Sequence, residues 1–338
     1  PTQRPDTMSN LSALTRNHGC DSLTPAANTL IIVHDRPDGD ATGSAFGLRL
    51  LLEAMGSRTR CVCSSEVNRR FRFAVEGLQD SVLPCSIPDD FEIERIVTVD
   101  TAAPGQMQAL GREYQVELML DHHASGTPYA DYLIRPDAAA CGEISFDIAK
   151  ELLSRGAIKA LPPRFPGLIY MAIATDTGCF KYSNTTPGTH RCVAELMDGS
   201  FDYAEWNFRL FDSKPRESLA LTHAALENIH FYCDNRLAIV AMDYAALTAL
   251  GVPAEYYDGL VDVARGIDGV EIALSVRQPD DAPVFRVSAR SNGDANVASL
   301  CAHFGGGGHA KAAGCTVEAP DMNAALRLIV GAASELFD

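Results

Sequence analysis

Four short runs in the first 123 residues, TLIIVH (29 to 34), TRCVC (59 to 63), RIVTVD (95 to 100) and VELMLDHH (116 to 123), are apolar at most successive positions, not only at alternate ones. That pattern predicts strands buried on both faces, as in a parallel sheet covered by helices. Between the first two, DATGSAFGLRLLLEAMG places Phe46, Leu50 and the Leu51/Ala54 pair at helical spacing, and Gly56 ends the helix. Strand, helix, strand is a βαβ unit, so parallel order with right-handed crossovers is the predicted topology. Further helices are predicted over 142 to 154 (Ile144, Ile148, Leu152) and 166 to 175, and the polar-patterned stretch near 202 to 230 predicts a helical connector. After residue 229 the rhythm changes: RLAIVAM, VEIALSVRQ, VFRVSARS and AAGCTV read as strands, NVASLCAHF and MNAALRLIVGAASELF as helices.

The predicted class is therefore α/β with two domains. A polar, loose extension covers residues 1 to 25, a parallel-sheet domain 26 to 200, a helical connector 201 to 228 and a smaller α/β domain 229 to 338, with the active-site cleft expected between the two domains.

Composition narrows the class of function. A formal charge of -16 argues against wrapping long nucleic acid, which needs a broad basic surface, but leaves room for a small anionic substrate held by a few local cations. No run approaches a membrane span and the opening residues hold no apolar signal segment, so no membrane partner and a cytoplasmic location are expected. The ten cysteines are scattered, without a CxxC pair, and are expected to be small buried residues in a reducing compartment.

The predicted strands end in acids and imidazoles. His34, Asp38 and Asp40 follow the first, Asp100 ends the third, Asp121, His122 and His123 end the fourth, and Asp176 follows an apolar helix. In an open parallel sheet ligands bind outside the carboxyl ends of the strands, so these groups should converge. Any one of these aspartates could be a turn residue or a helix cap; Asp40 in particular could be only a cap. Four carboxylates gathered without cations would repel one another and lose solvation, whereas two divalent ions supply the compensating charge. Pro37 and Gly39 disfavour a helix through HDRPDGD and favour a folded loop around a cation. Carboxylate and imidazole donors without cysteine suit Mn²⁺ better than a structural zinc.

Further along, the period of two in VFRVSARS puts Phe285, Val287 and Ala289 on one face and Arg286, Ser288 and Arg290 on the other. The run Gly305 to Gly308, followed by His309, predicts a loop between helix and strand whose backbone amides (Gly306, Gly307 and Gly308 among them) cradle an anion.

In order, HDRPDGDATGS, TVD, LDHH and TDTGCFKYSNTTPGT resemble the four signature motifs of the DHH phosphoesterase superfamily, and VSARSNGDANVASLCAHFGGGGHAKAAGC resembles its C-terminal DHHA1 domain. Length and domain order resemble the NrnA-type nanoRNase/pAp-phosphatase subgroup. The resemblance implies a pair of Mn²⁺ ions, with Mg²⁺ or Co²⁺ as substitutes: one held by His34, Asp38 and Asp100, the other by Asp40, Asp100, His122 and Asp176, with Asp100 bridging. It implies Asp121 as an orienting residue, His123 facing the substrate phosphate, and Arg290 and His309 as phosphate or ribose ligands beside the glycine run. The implied reaction is hydrolysis, by water activated between the two ions, of very short RNA or linear dinucleotides such as pGpG to mononucleotides, and of pAp to AMP and phosphate, in a possible homodimer. The alternatives are a cyclic-dinucleotide (c-di-AMP) phosphodiesterase and a nucleotide-binding regulator without turnover. Ala140, Cys141 and Cys179 depart from the family pattern, and none is expected to touch a metal ligand.

Overall fold

The computed structural model describes residues 23, 27–63, 65–78, 83–84, 87, 90–110, 113–123, 127–197 and 200–337. The expected loose extension over residues 1 to 25 thus lies outside the described residues, Leu23 apart. The chain divides into two compact units, one reaching to Ser213 and the other starting at Lys214.

In the first unit β1 (Thr29–Ile32), β2 (Thr59–Cys63), β3 (Leu83–Pro84), β4 (Arg95–Val99), β5 (Leu118–Asp121) and β6 (Asp131–Ile134) form one sheet in the order β3-β2-β1-β4-β5-β6. Every neighbouring pair is parallel. The chain adds strands outward from β1 to β3, returns to β4 on the other side of β1, and adds outward again. The order therefore reverses between β1 and β4, the place where an open α/β sheet opens a crevice at its carboxyl edge.

One face of this sheet carries Ile31, Cys61, Val97, Val99, Leu118 and Leu120, packed against α1 (Gly39–Ala54), α2 (Cys141–Ser154) and α3 (Phe165–Asp176). Leu30, Ile32 and Val62 point the other way, onto Met107, Ile93, Tyr114 and Val116. Both faces are buried, as the unbroken apolar runs predict. Among the described residues, however, the second face is covered by a 3-10 turn (Pro104–Leu110) and loop residues, not by long helices.

α3 is the central helix of the unit, with every residue from Phe165 to Ala174 buried. Its closeness to α1 depends on glycines one helical turn apart. A Cβ at Gly39 would overlap the Thr175 side chain, one at Gly43 would overlap the Leu168 carbonyl, and one at Gly47 would stand 2.6 Å from Ile169 Cδ1. α4 (Pro187–Leu196), α5 (Tyr203–Asn207) and a π-helical turn (Phe208–Asp212) complete the unit.

The second unit begins with α6 (Glu217–Glu227) and holds β7 (Ile229–Tyr232), β8 (Leu237–Met242), α7 (Tyr244–Leu250), α8 (Leu260–Arg265), β9 (Ile272–Arg277), β10 (Val284–Ser291), α9 (Val297–His303), β11 (Gly307–His309), β12 (Ala312–Glu318) and α10 (Met322–Ser334). The sheet order is β11-β12-β10-β9-β8-β7. Only the β8 and β9 pair is parallel. Leu237 and Ile239 face α9 and α10, while Ala238 and Val240 face α6, α7 and α8, so alternate positions of one strand feed two cores.

The glycine run, predicted as a shaped loop between helix and strand, is partly strand. Gly307–His309 is a strand that pairs with β12 through Gly307↔Gly314, Gly308↔Ala313 and His309↔Ala312. Strand closeness explains part of the glycine requirement: a Cβ at Gly306 would lie 2.5 Å from that of Cys315, and Gly308 holds φ at 139°.

Candidate active site and metal centre

The predicted ligands of the first unit converge at the β1/β4 crevice. Asp38 is the N-cap of α1, its Oδ1 accepting from the Ala41 amide at 3.0 Å and lying 3.9 Å from His34 Nε2. Gly39 opens the helix, so the expectation that Pro37 and Gly39 keep this whole stretch out of helix holds only as far as Asp38. A glycine is used there because α3 passes too close for a side chain. Asp40 is no cap. It sits in the first turn of α1, buried, and accepts from the Cys141 and Gly142 amides at 2.7 and 3.0 Å and from Ser44 Oγ at 2.8 Å. The amino end of α2, whose amides and dipole favour an anion, thus holds this carboxylate in place.

Asp100 follows β4 in the left-handed region, at φ 54°, which a short polar side chain tolerates better than most. Its buried carboxylate looks two ways: Oδ2 lies 3.7 Å from His34 Nε2, and Oδ1 lies 3.7 Å from His122 Nε2. His122 Nε2 also lies 3.7 Å from Asp40 Oδ2 and 3.6 Å from Asp176 Oδ2, the last residue of α3. Each imidazole is turned by its other nitrogen: His34 Nδ1 donates to the Asp35 carbonyl at 2.9 Å and His122 Nδ1 to that of Ala138 at 3.3 Å. Both Nε2 atoms then present lone pairs inward, the usual posture of histidine ligands.

The acids carry the electrostatic cost of this gathering. Burial, and then the nearby carboxylates of Asp40, Asp38, Asp176 and Asp121, push Asp100 well above the usual carboxylate range. Burial followed by Asp40 and Asp38 does the same to Asp176, and burial raises Asp40 despite the opposing influence of His122. Groups that resist ionisation together, each buried and aimed at the same small space, fit divalent cations, which would let all of them ionise. Donor atoms from His34, Asp38 and Asp100 lie within 4.8 Å of one another, as do those from Asp40, His122 and Asp176.

Asp121 and His123 form a separate pair beside these donors. Asp121 is fully buried, and its Oδ1 accepts from the His122 amide at 2.7 Å, the His123 amide at 3.1 Å and His123 Nδ1 at 2.7 Å. Burial pushes Asp121 up, but these bonds and the charge of His123 outweigh it and hold the carboxyl below its ordinary value. Burial likewise opposes protonation of His123, and the bond to Asp121 overcomes it and raises the imidazole.

Two residues were missed by sequence reasoning. Asn184 donates through Nδ2 to the Asp176 carbonyl and the Ala139 carbonyl, both at 3.1 Å, and reaches Asp176 Oδ2 at 3.5 Å, so it pins the end of α3. The only available signal was its place in KYSNTT, eight residues after Asp176. Cys141 overturns the expectation that no departing residue touches a ligand: its amide binds Asp40 and its Sγ lies 3.8 Å from Asp100 Oδ1. The contact arises because Cys141 is the first residue of α2, the helix end that receives Asp40.

In the second unit the alternation along β10 is as predicted, with Phe285, Val287 and Ala289 buried and Arg290 half-buried. Ala312 pairs with Arg290 on one side and with His309 on the other. Arg290 and His309 therefore share one row, and so one face, of the sheet, two strands apart.

Residues 28–173 match the model of the DHH family, N-terminal domain, and residues 241–335 match that of the DHHA1 domain. The chain thus carries a DHH-type N-terminal domain followed by a DHHA1 domain. Among relatives, the bifunctional oligoribonuclease and PAP phosphatase NrnA of Thermus thermophilus is 28% identical over 90% of this chain and 89% of its own length. The protein of the same description in Bacillus subtilis is 26% identical over 84% and 87%. An exopolyphosphatase-related protein from Bacteroides fragilis has a crystal structure that superposes with a TM-score of 0.83 at 19% identity, covering 99% of this chain and 98% of that one. That likeness concerns the fold. Among the described residues, no helix is long and apolar enough to cross a membrane.

Proposed function

We propose that this chain hydrolyses the phosphodiester of very short RNAs and linear dinucleotides such as pGpG to mononucleotides, and removes the 3′-phosphate of pAp, using two Mn²⁺ ions. The observation that carries this reading is the two-way Asp100 carboxylate, with Oδ2 toward His34 and Oδ1 toward His122. His34, Asp38 and Asp100 would hold one ion, and Asp40, Asp100, His122 and Asp176 the other. Carboxylate and imidazole donors favour Mn²⁺, with Co²⁺ and Mg²⁺ as substitutes. Such ions supply positive charge to phosphoryl oxygens and lower the pKa of water.

The remaining chemistry belongs to the protein's own groups. Asp121 fixes His123 with Nδ1 as the donating nitrogen and so sets the orientation of its ring. The same bond keeps the imidazole charged to higher pH, so His123 Nε2–H binds a phosphoryl oxygen and is placed to hand a proton to the departing ribose oxygen. Buried Asp40 is held by the α2 amides and Asp176 by Asn184, so the ligands are set before substrate arrives. Arg290, a planar two-pronged donor, and His309 with Gly306, Gly307 and Gly308 would take the far phosphate or ribose of a short substrate. The names of the Thermus and Bacillus relatives support short RNA and pAp as the substrates.

The test is a parallel assay of pGpG, pAp, a long RNA and c-di-AMP with Mn²⁺ and with chelator. Metal-dependent release of mononucleotide from pGpG ahead of the long RNA and c-di-AMP supports the proposal. Preference for the cyclic substrate, or turnover that survives chelation, overturns it.

A further inference from the structure

The sulfur of Cys141 stands inside the group of donors just described. Cys141, Asp40 and Asp100 are each almost wholly buried, and one donor atom from each lies within 4.8 Å of the other two. The three come from different elements, the first turn of α1, the residue after β4 and the start of α2, so the fold and not chain proximity brings them together. The spacing also suits shared coordination. Two donors bound at about 2.0 to 2.3 Å to one tetrahedral ion stand about 3.3 to 3.8 Å apart. Cys141 Sγ lies 3.8 Å from Asp100 Oδ1, and His122 Nε2 lies 3.7 Å from Asp40 Oδ2 and 3.6 Å from Asp176 Oδ2.

Sulfur changes what such a site prefers. Mn²⁺ and Mg²⁺ are satisfied by oxygen and imidazole, whereas Zn²⁺, Cd²⁺ and, less strongly, Co²⁺ gain from a thiolate. Cys141 is the first residue of a 14-residue helix; burial and the neighbouring Asp100 and Asp40 carboxylates push its thiol up, so a thiolate there needs the charge of a bound ion beside it. We propose that Cys141 is a soft metal ligand on the Asp40 side of the centre, so that this chain takes a thiophilic divalent ion through Asp40, Asp100 and sulfur. With a hard ion the thiol stays unligated, its sulfur 3.7 Å from the Leu120 carbonyl and 3.8 Å from Asp100 Oδ1. With a thiophilic ion the S–H bond breaks, a metal–sulfur bond forms and the proton passes to solvent, with no change of oxidation state. The inference rests on the reading of this centre as a divalent-metal site.

The experiment titrates the chelator-stripped full chain with Co²⁺ and Cd²⁺, following sulfur-to-metal charge-transfer absorption in the near ultraviolet and metal content by dialysis. The expected result is a charge-transfer band that grows with loading of wild type and is lost in Cys141→Ser, while Cys141→Ser still takes up Mn²⁺ with wild-type stoichiometry. Cadmium NMR of the wild-type chain separates sulfur from all-oxygen and nitrogen ligation without any variant. Metal uptake with no sulfur band, or a band and a cadmium shift unchanged by Cys141→Ser, overturns the assignment and leaves the metal centre standing. Failure of wild type to take up any of the three ions overturns both.

Discussion

At the scale of single residues, the centre is a set of acids that the fold makes reluctant to ionise. Asp40, Asp100 and Asp176 each bind a proton more tightly folded than at the ordinary value of 3.8. In metal-free protein their contribution to stability is fully present below that value and is lost as pH rises through their raised folded values. Asp121, held below its ordinary value, acts the other way and loses its contribution only as pH falls through its lowered value. Thermal melts in chelator should therefore show stability declining as pH rises above about 4, and saturating Mn²⁺ should remove most of that decline. Melts with the same pH dependence with and without Mn²⁺ would count against cations as the remedy. Asn184 offers a second residue-scale test: Asn184→Ala frees the end of α3, and Mn²⁺ affinity read by the EPR signal of the free ion should fall about 10- to 100-fold, as for other residues that orient ligands. The acids and histidines were legible in the sequence because each follows a strand or ends a helix, where turn chemistry puts polar groups. Asn184 and Cys141 were not, because their importance lies in which distant backbone and side-chain atoms they meet.

At the scale of elements, the approach of α1 to α3 sets the distance between Asp40 and Asp176. Gly39, Gly43 and Gly47 lie on one side of α1, and each would drive a side chain into α3. Gly43→Val should cost about 1 to 3 kcal/mol in urea unfolding, as overpacking does, and should weaken Mn²⁺ binding as well. Unchanged stability would mean that the helices separate without penalty and that the glycines serve another purpose. The periodicity of Phe46 and Leu51 announced α1, but the glycine stripe gains meaning only from α3, far along the chain. The four short parallel strands were legible as unbroken apolar runs. β11 was not: three residues of glycine and histidine carry no strand pattern, and only pairing with β12 makes them one.

At the scale of the whole molecule, two units divide the work proposed here, metal centre in the first and nucleotide contacts in the second. Arg290→Ala should raise KM for pGpG roughly 10- to 100-fold, the worth of a charge-assisted hydrogen bond, while bound Mn²⁺ stays at the wild-type level. Loss of metal with Arg290→Ala would refute that division. The two-unit organisation itself was legible because the strand rhythm changes after residue 229, from unbroken apolar runs joined by helices to hairpin-spaced strands. The measurement that reaches the central claim most directly is Mn²⁺ bound per chain by equilibrium dialysis, alongside pGpG turnover, for wild type and Asp100→Asn. The account predicts two ions in wild type, with both sites weakened and turnover down by roughly a hundredfold or more in the variant, because one carboxylate serves both. A single ion in wild type, or a variant that keeps two ions and its turnover, would contradict it.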